Sequence, residues 1–348
     1  MQNGRAERLG RTLMDKAESM RHQACIPDSW WEFAFAHATH LYNHTPVARL
    51  KWRTPHEMLK GEMPNIEHLR VFRKGRAIHL DQCAYLQKVI EHCGMLNAKS
   101  TSTPLLAGYY AAKNTEPDDA ELRSCFQMVI ESLLYLMLGT RPDIAFAVTH
   151  LSCHSVNPSQ DHLNKVLYIC HYLIGTSTYS LVYNGGSGAG LTACTDSDWG
   201  SDPTSHLSQT GFYLKLADGL ISWTSRAQKT IMYSSTEAEY MALSDCARQV
   251  TWIRSLLGEL GYKLKAIPIC GDNQGSIFMA SNPVMEPHSK HIDIHYHRIR
   301  KSVTNGKIEL FFIDGAENPA DLLTKNLPCE KFAKFKVQLG LQFPSGSS

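Results

Sequence analysis

At 348 residues, with 43% hydrophobic and 20% charged side chains, the chain has the composition of a folded protein and not of a disordered one. A formal net charge of +2 excludes a global basic footprint, so any nucleic-acid contact must come from local patches. Ten cysteines without a C-x-x-C pair fit reduced thiols, and no membrane-length apolar run or signal peptide is read, so a soluble, unsecreted chain of the cytoplasm or nucleus is expected.

Residues 1–72 read as helical and rich in Trp, His and Arg. In "WWEFAFAHATHLYNHTP" the residues Trp31, Phe35, Ala38 and Tyr42 fall at helical spacing before "NHTP" stops the helix. The basic stretch "RVFRKGR" (Arg70 to Arg76) fits neither neighbour and reads as a join. Residues 73–184 hold "AYLQKVIEHCGM", a polar linker "AAKNTEPDDAE" and two apolar helices, "MVIESLLYLMLG" and "LNKVLYICHYLIG". Asp143 in "TRPDIAF" reads as a helix-start residue after Pro142.

From residue 185 the texture changes. "LTACTDS" predicts a strand, "GFYLKL" and "LISWTS" a hairpin through "ADG", and 235–257 a long helix. The strand "IPICG", a helix from "NQGSIFMA", a basic helix near 289–304, the strand "KIELFFI" and a short helix "PADLLTKNL" complete it. Three antiparallel strands followed by strand–helix alternation predict an α/β fold, a mixed sheet with helices packed on it. Trp199 and Trp223 are expected in core or edge packing.

Four acidic positions stand at element ends: Asp196, a glutamate of "TEAEY", Asp272 and Asp321. Each alone is a plausible cap or dipole partner. Together, carboxylates from several sheet elements can converge and bind divalent metal through oxygen, and two ions so held clamp the attacking water and the leaving oxygen of a phosphodiester. Ala242, Cys246, Val250, Ile253 and Leu257 form the face of the long helix turned to the sheet. Glu239 shares that face, whereas Glu237, two residues away, points roughly opposite and fits a capping box with Ser234. In "CTDSDWG", Asp196 is preferred because it continues the apolar strand. Asp198 lies on the same strand face and is the runner-up.

These segments, "TDSDWG…TGFYLKLADGLISWTSRAQKT…SSTEAEYMAL…GDNQGSI…KHIDIHYHRIR…NPADLLTK", resemble the ribonuclease H domain that ends copia-type LTR retrotransposon polyproteins. The resemblance implies a five-stranded mixed sheet with helices on both faces, over 185–335, followed by a tail, 336–348. It implies two Mg2+ or Mn2+ ions held by Asp196, Glu239, Asp272 and Asp321, and cleavage of RNA in an RNA–DNA hybrid, with no small-molecule substrate. Many cellular ribonucleases H carry a histidine in the loop before the last aspartate, and "FFIDGAENPAD" has none.

Residues 73–184 resemble the reverse transcriptase thumb and connection, and 1–72 the end of an integrase core, where Glu7 would be its third acidic residue. Only six residues precede Glu7, so strand transfer is not expected. The sole Asp-Asp pair, Asp118–Asp119, lies in a polar linker, so polymerization is not expected either. In "PHSKHIDIHYHRIRKS" no second ligand cluster completes a zinc site around His291 and His295. The better reading is a basic face of Lys290, His291, Arg298, Arg300 and Lys301 near nucleic-acid phosphates.

Overall fold

The computed structural model describes residues 69–185, 190–281 and 299–343, together with residues 13, 14, 17, 18, 35, 39 and 55–61. The chain divides into two compact units, Met1–Glu67 and His68–Ser348. In the first unit, α1 (Pro55–Lys60) carries Glu57 in its first turn and Lys60 in its last, each matched to the helix dipole. Phe35 and Thr39 are helical, and the Thr39 hydroxyl donates to the Phe35 carbonyl at 2.8 Å. The rest of the helix expected around Trp31, and Glu7, lie outside the described residues.

The second unit opens with β1 (Arg70–Lys74) and β2 (Ala77–Asp81), paired from Arg70↔Asp81 to Lys74↔Ala77. Gly75, at φ +61°, takes the left-handed conformation this two-residue turn requires. Arg70 pairs with Asp81 at 2.8 Å, and Phe72 stacks on His79 with centroids 4.8 Å apart. "RVFRKGR" is therefore the first strand and the turn of a hairpin, each residue of β1 having a cross-strand partner. The division between units falls at Glu67/His68 and not at 72/73.

β2 pairs with β3 (Ser180–Tyr183), and β3 with β9 (Leu341–Gln342). Residues 336–342, expected as a tail, thus complete the last helix and add a strand.

Between β2 and β3 run α2 (Cys83–His92), α3 (Ala120–Gly139), the 3-10 turn Pro142–Ile144, α4 (Ala145–Ser152) and α5 (Gln160–Gly175). Asp119 caps α3 by accepting from the Glu121 and Leu122 N–H groups at 3.0 and 3.1 Å, and Asp118 pairs with Arg123. That is a structural use for the Asp-Asp pair. Among the described residues α3 is long and apolar enough to cross a membrane by length and composition, more than the sequence reading allowed. Its stripe of Phe126, Val129, Ile130, Leu133, Leu136 and Met137 lies at spacings of three and four and is buried in the protein core.

The second sheet has the order β6-β5-β4-β7-β8. β4 (Leu191–Asp198), β5 (Gln209–Leu216) and β6 (Gly219–Ala227) are antiparallel, and β7 (Ile267–Gly271) and β8 (Ile308–Phe312) join β4 in parallel. This is the expected five-stranded mixed sheet. Alternation along each strand assigns its faces. Leu191, Ala193, Phe212 and Leu214 pack under α6 (Ser235–Glu259) with its Cys246, Val250 and Ile253. Cys194, Tyr213 and Trp223 look the other way, into a core shared with α2–α5 and with α8 (Cys329–Gln338). The Trp223 indole N–H donates to the Met137 carbonyl at 3.0 Å, and the Tyr183 hydroxyl to the Leu220 carbonyl at 2.7 Å. Trp223 is a packing residue, as read. Trp199 is half exposed and ties its indole N–H to the Met232 carbonyl at 3.0 Å.

Three histidines meet in the helical half. His150 Nε2 accepts from the Ala111 N–H at 2.9 Å, and the His154 and His162 rings are 4.1 Å apart. Burial pulls His150 and His154 down to about 4, and lowers His162 as well. Above an ordinary imidazole pKa of about 6.5 they are neutral folded or unfolded. As pH falls from there toward 4, the unfolded chain takes up protons that the folded chain refuses, so stability is lost. Urea midpoints at pH 7.5 and 5.0 should show a smaller acid loss for His154→Gln than for the parent. Equal losses would remove the histidines from the account.

Candidate active site

Asp196 is 1% exposed and lies on the β4 face opposite α6. Its cross-strand partner is Gly211, where a Cβ would stand 2.6 Å from Thr324 Cγ2 and 2.8 Å from Leu323 Cβ. A glycine there lets the 3-10 turn Pro319–Leu323 close onto the strand. Asn318 fixes that turn, its amide N–H donating to the Thr195 carbonyl at 2.9 Å while its carbonyl oxygen accepts from the Ala320 N–H at 3.2 Å. The turn carries Asp321, which is 2% exposed. β4 and β7 run parallel with Cys194 beside Cys270, so Asp196 and Asp272, each two residues on, emerge side by side. Carboxylate oxygens of Asp196, Asp272 and Asp321 lie within 4.8 Å of one another.

The two glutamates at the start of α6 have separate environments. Ser234 caps the helix, accepting from the Glu237 N–H at 3.1 Å, and Glu237 accepts from the Tyr233 N–H at 2.7 Å. Glu239 is buried, and its Oε1 accepts from the Ser197 N–H at 3.1 Å. It stands outside the three-aspartate group yet close enough to be repelled by Asp196 and Asp272. Asp198 accepts from the Tyr110 hydroxyl at 2.7 Å and is likewise outside the group. Asp196 is the strand aspartate the structure brings to the cluster.

Burial, with repulsion from neighbouring carboxylates, raises Asp196, Glu239 and Asp272. Burial lifts Asp196, Lys325 opposes the lift, and Asp321 and Asp272 add to it, for a result of about 7. Glu239 is raised by burial and then by Asp196 and Asp272. Asp272 is raised by burial and then by Asp321. An all-carboxylate oxygen set this tightly spaced, with its negative charge held at a cost, fits a hard divalent cation.

Residues that the sequence reading did not single out complete the site. The Thr324 hydroxyl donates to Asp196 Oδ2. Lys325 Nζ stands 2.8 Å from Asp321 Oδ1 and 3.7 Å from Asp196 Oδ2. Lys331 Nζ, from α8, stands 2.5 Å from Asp321 Oδ2 and donates to the Gly315 carbonyl at 3.2 Å. The i,i+4 spacing of Asp321 and Lys325 was a usable signal. Nothing local pointed to Lys331.

Of the expected basic face, Lys290, His291 and Arg298 lie outside the described residues. Residues 299–304 are helical, Lys301 is exposed, and the Arg300 Nε–H donates to the Met279 carbonyl at 3.2 Å. Arg300 is thereby tied to α7 (Gln274–Ser281).

No protein-family model matches the chain. It is 36% identical over 274 residues to the retrovirus-related Pol polyprotein from transposon TNT 1-94 of Nicotiana tabacum, covering 77% of this chain and 21% of that protein. It is 35% identical over 271 residues to the Pol polyprotein from transposon RE1 of Arabidopsis thaliana, covering 76% and 18%. The chain thus spans about a fifth of the length of these curated relatives. Among solved structures, RNase H1 from Halobacterium salinarum is 18% identical with a TM-score of 0.29, covering 39% of this chain and 95% of that one. Three quarters of the chain is thus similar, at 34–36% identity, to part of the retrovirus-related Pol polyproteins of plant transposons.

Proposed function

We propose that this chain is a metal-dependent ribonuclease H that cleaves the RNA strand of RNA–DNA hybrids. The observation that carries the reading is the meeting of Asp196, Asp272 and Asp321 oxygens within 4.8 Å, beside a buried Glu239. Four buried or half-buried acids at one sheet edge serve no packing purpose, and their repulsion costs stability. When bound, two Mg2+ or Mn2+ ions would neutralise these carboxylates and supply Lewis-acid stabilisation of the scissile phosphate.

The chain's own part is to fix the ligands. Asn318 and Thr324 hold the Asp321 turn against β4, and the Ser197 N–H holds Glu239. The exposed Lys301, with Lys290, His291 and Arg298, is the proposed backbone contact to the hybrid. The same reading takes residues 1–72 as the end of an integrase core, 73–184 as a reverse transcriptase connection, and an intracellular site of action.

The test is cleavage of a labelled hybrid by the full chain, with Mg2+ or Mn2+, beside Asp272→Asn. Cleavage should require the metal and fall roughly 100-fold or more in the variant, since even losing a residue that orients a metal ligand costs 10–100-fold. A folded chain that binds the hybrid and leaves it intact would replace the nuclease by a nucleic-acid-binding relic.

A further inference from the structure

Each oxygen of Asp321 faces an ammonium. Lys325 stands 2.8 Å from its Oδ1, and Lys331 stands 2.5 Å from its Oδ2. Lys325 also reaches Asp196 Oδ2 at 3.7 Å, so one ammonium spans two of the three clustered aspartates. It is a tethered cation in the place where a free one would bind. A divalent ion ligated by either of those aspartates would stand within a few ångströms of that ammonium, and like charges at such a distance in a half-buried site repel strongly.

The backbone makes the lysine position fixed, while the side chain can leave. The Lys325 N–H donates to the Asp321 carbonyl at 3.1 Å, and the neighbouring Thr324 hydroxyl is bonded to Asp196. The Lys325 side chain is nonetheless 35% exposed, which gives its ammonium a route to water. Lys331 differs in both respects that matter. It touches one carboxylate only and comes from α8, outside the elements that carry the acids.

Resting on the metal-site reading above, we infer that Lys325 is an internal counter-ion that competes with metal, holding Asp196 and Asp321 together until a divalent ion displaces it. The lysine contact must be given up on loading, so its removal makes metal binding tighter. The same removal leaves the acids uncompensated without metal, so the metal-free protein becomes less stable. A merely structural lysine would give the second effect without the first.

The experiment is Mn2+ binding to the full chain by isothermal titration, with thermal unfolding in chelator and in saturating Mn2+. Lys325→Met should bind Mn2+ about tenfold more tightly than the parent, the size expected from losing one charge-assisted contact. Lys331→Met should change affinity less, and Lys325→Arg, which keeps the charge, should behave as the parent. In chelator the Lys325→Met midpoint should fall, and Mn2+ should raise it further than it raises the parent. Lys325→Gln, closer in polarity, repeats the measurement if the methionine variant does not fold without metal. Parent-like or weaker affinity in both neutral variants overturns the inference while leaving the metal site standing. No Mn2+ binding by the parent overturns the metal-site reading and this inference with it.

Discussion

A chain that begins at Gly190, keeping the five-stranded sheet and everything after it, is expected to lose cooperative unfolding. The reason lies in the shared core. Tyr213, Leu220, Leu322, Leu323, Phe332 and Phe335 are buried in one cluster with Phe126, Leu133, Leu136, Ile144 and Leu173 of the helical half. Cutting the chain at Gly190 uncovers the first six and leaves β9 without β3. At about 1.5–3 kcal/mol for each large apolar side chain returned to water, six of them consume the roughly 5–15 kcal/mol that holds an ordinary domain together. The polar ties from Trp223 to Met137, Thr149 to Ser225 and Tyr110 to Asp198 disappear as well. Thermal unfolding followed by near-ultraviolet circular dichroism should show a sharp transition for the full chain and a broad one for the fragment. A fragment with a sharp transition at the same midpoint would mean that the sheet carries its own stability. Activity is for this reason best sought in the full chain.

The parts of this fold that were legible are those where one local signal suffices. The period-two run "LTACTDS", the "ADG" turn and the stripe of α6 each fix an element from its own residues, and β4, β5, β6 and α6 follow. Glu239 was separable from Glu237 because helix geometry alone sends them to different sides. Asp196 and Asp198 were not separable, since a strand points both to one face. Partners distant in sequence distinguish them: Asp196 meets Asp272, Asp321 and the Thr324 hydroxyl, whereas Asp198 accepts from the Tyr110 hydroxyl, 88 residues away. The same holds for "RVFRKGR": its basic side chains gave no apolar pattern, and its identity as a strand comes from partners at Ala77–Asp81. A tail was expected after residue 335 because two paired residues, Leu341 and Gln342, are too short a run to read as a strand. Their partners, Leu181 and Ser180, lie on the far side of the whole second sheet in sequence.

Asp143 shows how such distant partners set an energy. Read as a helix-start residue, it does stand in the first turn after Pro142, yet its carboxylate is fully buried and bonded elsewhere. Arg141 Nε–H and Nη2–H donate to its two oxygens at 2.9 and 2.7 Å, and the Tyr172 hydroxyl donates at 2.6 Å. Arg141 also donates to the Thr176 carbonyl at 3.1 Å and its hydroxyl at 2.6 Å. Burial works against the carboxylate, but Arg141 outweighs it and holds Asp143 below the usual range, so the pair is charged at neutral pH. Replacing Arg141 by Met strands that charge with Tyr172 alone. Removing one member of a buried pair costs about 3–5 kcal/mol. Removing both, as Arg141→Met with Asp143→Leu, should cost clearly less, because no charge is left buried. Urea unfolding at pH 7 checks both, and equal losses in the single and double variants would mean that the pair's worth lies in shape and not in charge. The effect should reach the site, because Asp143, Phe146 and Ala147 line one small cavity with Leu322 and Lys325, which flank Asp321. A loosened Asp143 therefore loosens the turn that carries Asp321, and the single variant should bind Mn2+ more weakly than the double.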